Sequence, residues 1–120
     1  MQDEPSLNIE RIGDATVIRA LPTSITPQAG EALLGYRAFP KGVKMVLDLS
    51  GLLFLGSAAL SVMIVYHKRV KQAGGRLVVA GLDDECRKVV ETAELTKILD
   101  LQPDLASALE AVGCQAPAPA

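Results

Sequence analysis

Along residues 7–20, LNIERIGDATVIRA, β-branched residues fall on both sides of Gly13-Asp14, and the pattern predicts two short strands joined as a hairpin at that dipeptide. A Ser/Thr/Pro cluster, TSITP, follows at 23–27. Beyond it Ala29, Ala32, Leu33 and Tyr36 recur at helical spacing, and Thr26 as cap with Pro27 behind it predicts a helix over 27–38, closed by Pro40 and Gly42. KMVLDLS, 44–50, reads as a strand buried on both faces. In SAALSVMIVYHKRVKQAGG, Leu60, Met63, Ile64, His67 and Val70 lie along one side of a predicted helix; Lys68, Arg69 and Lys71 suit its C-terminus and Gly74-Gly75 stops it. RLVVAG is the next strand, so 43–80 forms a strand, helix, strand unit whose favoured packing is a right-handed parallel crossover. Asp83 then caps a helix over 84–91, AELTKIL makes a second short helical piece, LQP a brief edge strand ending at Pro103, and DLASALEAV a final helix capped near Asp104. The QAPAPA tail has nothing to bury and is expected to be disordered. The whole is an α/β pattern.

At 120 residues the chain fits one domain. Its formal charge of -2, with two Tyr, two Phe and no Trp, offers neither a basic surface nor a stacking platform for nucleic acid. MQDEPSLNIE carries neither a basic start nor an apolar run, so a cytoplasmic protein is expected. The longest apolar region, GLLFLGSAALSVMIV at 51–65, falls short of the roughly 20 residues that cross a bilayer; it reads as buried core rather than as a membrane insert. Cys86 and Cys114 lack Cys or His neighbours at ligand spacing and are expected as free thiols, with no zinc site. Gly74-Gly75 ends a helix instead of opening one, so no phosphate loop, nucleotide motif or other cofactor site emerges.

Ser57 is the one hydroxyl in FLGSAAL, at the passage from strand to helix. The plainest reading of it is a helix N-cap. It has no GxSxG elbow, and the sole histidine, His67, stands ten residues further along the same helix, about 15 Å along its axis. Acid/base catalysis has no frame around it either, so no enzyme is expected. A phosphate on Ser57, in contrast, would be accommodated by the free N–H groups and dipole of a helix start, and the small neighbours Gly56, Ala58 and Ala59 would let a partner approach. His67 reads as a boundary residue, and HKRVKQ as a solvated helix end or a docking patch for an acidic partner.

The run MVLDLSGLLFLGSAALSVMIVYHKRVKQAGGRLVVAG resembles the central signature of the STAS domain, the anti-sigma factor antagonist family. Asp48-Leu49-Ser50 matches that family's strand ending, Gly56 to Leu60 its [DS]-S-[SAT]-G-L helix opening, and Gly74 to Ala80 and ECRKVVETAELTKILDL its later course. The resemblance covers about residues 7–112 and implies a mixed sheet of four to five strands with about four helices packed mainly on one side. Residues 1–6 are then a flexible N-terminus and 113–120 the disordered tail. It further implies an anti-sigma factor antagonist working by partner switching. A partner anti-sigma factor that is also a serine kinase would phosphorylate Ser57, and a PP2C-type phosphatase would reset it. The implied partner face comprises Thr23, Ser24, Gly56, Ser57, Ala58, Ala59 and Ser61. Two departures stand out: Gly56 replaces the family's usual Asp or Ser, and Ala59 its usual Gly. Thr23 likewise stands where a G-x-L-D stretch has its Asp. The missing polar group at 56 motivates an alternative, a constitutive STAS accessory subunit of a lipid-transport ATPase or of a stress-signalling scaffold. Weak self-association through sheet edges or helices is left open.

Overall fold

The computed structural model describes residues 7–20, 33–35 and 39–113. Strands β1 (Leu7–Ile12) and β2 (Ala15–Ala20) form the expected hairpin, with Ile12 opposite Ala15 and Gly13 at a φ of 59° in the turn. β2 lies parallel to β3 (Lys44–Asp48), which the chain reaches by a crossover. Helix α1 (Ser57–Gln72) leads to β4 (Arg76–Ala80), parallel to β3, and α2 (Asp84–Thr92) with a 3-10 turn at Leu95–Lys97 leads to β5 (Asp100–Gln102), parallel to β4. Helix α3 (Leu105–Ala111) follows. The sheet order is β1-β2-β3-β4-β5, a mixed five-stranded sheet. Of the helix expected over 27–38, residues 33–35 are described and are helical; the remainder, like residues 1–6 and 114–120, lies outside the described residues.

Alternation along the strands divides the core in two. Ile18, Met45, Leu47, Leu77 and Val79 face α1, α2 and Leu33, while Ala15, Val17, Val46, Val78 and Ala80 face Ala108 and Val112 of the α3 segment. β3 is buried on both faces, as its unbroken apolar run requires. The ends of the elements have identifiable chemistry. Asp83 accepts from the Cys86 N–H at 2.8 Å and caps α2, and Asp104 accepts from the Ser107 N–H at 2.8 Å and caps α3. That backbone N–H, and then the Ser107 side chain, holds the Asp104 carboxyl below the usual carboxylate range. Lys44 donates to Asp14 Oδ2 at 2.7 Å and to the Gly113 carbonyl at 2.8 Å, joining the hairpin turn to the end of α3.

Two expectations are corrected. The buried face of α1 comprises Ala59, Val62, Met63, Tyr66 and Val70, whereas Leu60 and Ile64 are half-buried flanks; His67 is half-buried, the boundary residue the sequence predicts. Apolar residues cover a broad arc of this helix, and contacts from a distant segment select its centre. The Tyr66 hydroxyl donates to the Leu33 carbonyl, the Phe39 ring meets Tyr66 edge-on at 5.3 Å, and Arg69 Nη1 donates to the Leu34 carbonyl at 2.7 Å. A buried tyrosine is stable there because its hydroxyl is satisfied. The apolar run at 51–65 is also not all core: Leu52 and Leu55 are buried, but Leu53 is 69% exposed and Phe54 66%.

Candidate functional site around Ser57

β3 ends at Asp48, whose carboxylate is nearly buried yet partnered: the Ser50 N–H donates to Oδ1 at 3.0 Å, and Arg19 Nε lies 3.4 Å from Oδ2. Arg19 also pairs with Glu10 at 3.3 Å. The Asp48 carboxylate therefore turns the chain out of the sheet, an Asx-type turn that launches residues 50–56 toward α1. Within that loop Leu52 and Leu55 anchor in the core while Leu53 and Phe54 point outward. The site thus stands at the carboxyl ends of the parallel strands, where open α/β sheets place their binding surfaces.

Ser57 is exposed and is the first residue of α1, so it is not the cap. Gly56 occupies the cap position in an extended conformation; with no side chain there and no acidic residue in the first turn, the initial N–H groups lack a side-chain acceptor. The serine hydroxyl at the first helical position is consequently free to face a partner. Gly56 is also covered: a Cβ there would come within 3.0 Å of Phe54 Cε2, so an aspartate or serine at this position would require the ring to move. Where the family signature offers a polar group beside the serine, this chain offers an aromatic edge.

The predicted partner-face residues separate. Ser57 and Ser61 are exposed one turn apart on α1, and Gly56 and Ala58 are half-buried beside them. Ala59 is a correction: only 1% exposed, its methyl packs into the core and presents no surface. Thr23 and Ser24 lie outside the described residues. Sequence reasoning missed the apolar part of this surface. Leu53, Phe54 and Val89 border one concavity with Glu85, and a second, sharing Glu85 and Val89, lies between Leu60 of α1 and Lys88 of α2. The signal available was the run LLFL, since four consecutive apolar residues in a loop cannot all point inward.

Among the described residues, catalytic partners do not gather here. Ser57 and His67 are fixed at opposite parts of one helix, ten residues apart and therefore about 15 Å along the axis. Among the described residues no group of three or more His, Cys, Asp or Glu is placed to hold a metal ion, and no helix is long and apolar enough to cross a membrane. Cys86 is buried beneath the loop, with its thiol 3.8 Å from the Leu52 carbonyl. Burial first, then the hydrogen bond and charge of Asp83 and the charge of Glu85, push that thiol up to about 11, so it is not a nucleophile at neutral pH.

Known proteins share this fold. The fold is similar to that of an anti-sigma-factor antagonist (STAS) domain protein from Planctomyces limnophilus, with a TM-score of 0.78 and 19% identity over 89% of this chain and 97% of that one. It is also similar to an anti-sigma factor antagonist from Mycobacterium paratuberculosis, with a TM-score of 0.69 and 26% identity over 92% and 95% of the two chains. The anti-sigma factor antagonist SpoIIAA in its unphosphorylated form matches with a TM-score of 0.68 and 18% identity, over 90% and 98%. A family model, that of the STAS domain, matches residues 9–108. With the strand order, the Asp48 turn and the helix opening at Ser57 in place, the chain belongs to the STAS domain family.

Proposed function

We propose that this protein is an anti-sigma factor antagonist that acts by regulated protein binding in the cytoplasm, and that Ser57 is the residue a partner serine kinase phosphorylates and a PP2C-type phosphatase restores. One observation carries the reading: an exposed serine at the first position of α1, without acid/base partners among the described residues, beside the exposed apolar side chains of Leu53 and Phe54. Exposed apolar side chains clustered in this way mark a protein-binding surface. A phosphoryl group on Ser57 would add about -2 charge at neutral pH and would meet the free N–H groups of the first turn, so the domain keeps its fold. The cost falls on the complex, because burying an unpaired charge in an apolar contact costs several kcal/mol, enough to shift affinity by orders of magnitude. The relatives described as anti-sigma factor antagonists support the class of partner.

The first test is intact-mass analysis of the protein from its own cells, with and without PP2C-type phosphatase treatment; a single removable phosphate at Ser57 is expected. Ser57→Asp should weaken binding of the anti-sigma factor, and Ser57→Ala should bind as wild type but resist switching. Wild-type binding and switching by both variants would remove Ser57 from the mechanism.

A second reading is a constitutive accessory subunit of a lipid-transport ATPase or a signalling scaffold. The Phe54 ring over Gly56 favours it, since that ring replaces the polar group beside the acceptor. An affinity pull-down separates the two: a kinase-type anti-sigma factor supports the first reading, and a transport ATPase or large scaffold the second.

A further inference from the structure

At the end of α1 remote from Ser57, a groove of about 350 Å³ opens between the last turns of that helix, the start of β4 and residues 98–100. Its floor is apolar: Val70 and Leu77 are buried and Ile98 is exposed above them. Its rim carries two cations, Lys71 on α1 and Arg76 at the start of β4, with the His67 imidazole one turn before Lys71 as a further polar group. The lining contains one carboxylate, Asp100, and it is already engaged by Arg76 Nη2 at 2.7 Å and by Gln102 Nε2 at 2.9 Å. Lys71 is exposed and makes no ion pair among the described residues. Positive charge is therefore left over at this groove in a chain of net charge -2.

Two further features keep the groove open to an anion. Helix C-termini ordinarily repel negative charge through bare carbonyls, but here the carbonyls of Arg69, Val70 and Lys71 already accept from the N–H groups of Ala73, Gly74 and Gly75. In addition β5 begins opposite Val78, so Arg76 and Leu77 extend past the end of their neighbour and the sheet edge leaves a recess. The volume lies within the range of small-molecule sites. A dry cavity of about 150 Å³ holds a benzene ring, so a bicyclic body or a medium-length acyl chain fits this one.

We propose that this groove binds a small organic anion, its apolar body on Val70, Leu77 and Ile98 and its charged head between Lys71, Arg76 and His67. The test is a titration of the ¹⁵N-labelled full chain with naphthalene-2-sulfonate, followed by amide shifts, beside the uncharged 2-naphthol. Saturable shifts confined to residues 67–77 and 98–100 are expected, with 2-naphthol binding at least about tenfold more weakly. Lys71→Glu should weaken the sulfonate at least about tenfold, since it places like charge beside the head group, and Ile98→Ser should weaken both probes. Both side chains are exposed, so the variants should keep the wild-type spectrum; Lys71→Gln substitutes if the charge reversal disturbs it. Shifts that fail to saturate, that centre on Leu53 and Phe54 instead, or that are unchanged in the Lys71 variants would overturn the proposal.

Discussion

At Gly75 the chain has no room for a side chain: a Cβ there would lie 2.1 Å from the Val43 carbonyl oxygen, whereas one at Gly74 would touch nothing and only its φ of +73° resists. Gly75→Ala should therefore cost about 3 kcal/mol by prising β3 from β4, and Gly74→Ala about 1–2 kcal/mol from backbone conformation alone. Urea midpoints at unchanged m-value measure both; equal losses would show that the close approach at Val43 relaxes freely. Phe54 is the opposite kind of residue, large but 66% exposed. Phe54→Ser should alter stability by no more than about 0.5 kcal/mol while reducing affinity for the proposed anti-sigma factor partner at least about tenfold, as removal of an aromatic anchor does. Binding assays on a variant with wild-type melting check this, and unchanged affinity would place the partner elsewhere. At this scale the sequence was only partly legible. Ser57 stood out as an isolated hydroxyl, but its place as first helical residue and not as cap depends on one peptide of backbone geometry. The outward turn of Leu53 and Phe54 is set by the inward anchoring of Leu52 and Leu55, which composition cannot reveal.

Elements with chemical punctuation could be read directly. Gly13-Asp14 marked the hairpin, Asp83 and Asp104 marked two helix starts, and Gly74-Gly75 the end of α1, because each residue satisfies or relieves the backbone locally. Asp83→Ala should remove the α2 cap and cost about 1 kcal/mol. Hydrogen exchange should place the loss in the first turn of α2, with Cys86 and Arg87 losing protection before β3 or β4; uniform loss through the sheet would contradict a local cap. The buried face of α1 resisted such reading. Its apolar arc was wide enough for either of two stripes, and the choice rests on Leu33, Leu34 and Phe39, which lie at least 18 residues before the helix begins. Local periodicity carries no record of a contact made across that distance.

For the whole molecule, Cys86 couples stability to pH. In the unfolded chain a thiol ionises near about pH 8.5; in the folded protein burial, with Asp83 and Glu85 beside it, raises that value to about 11. Between these values the unfolded state holds fewer protons than the native state, so stability is fully present below the lower value and declines as pH rises toward the upper one. Denaturation midpoints measured across the alkaline range should fall for wild type and fall less steeply for Cys86→Ala, whatever that variant's lower starting point; parallel curves would exclude the thiol as the cause. The α/β class and the parallel unit at 43–80 were legible because burial on both faces of β3 and the long amphipathic helix admit few other packings. The strand order has one more consequence. Among the described residues every strand after the first pairs with the strand immediately before it in the chain, so none has to be threaded between two others already in place. The sheet can be laid down in the order of synthesis, each new strand closing on the exposed edge of the last as it emerges from the ribosome.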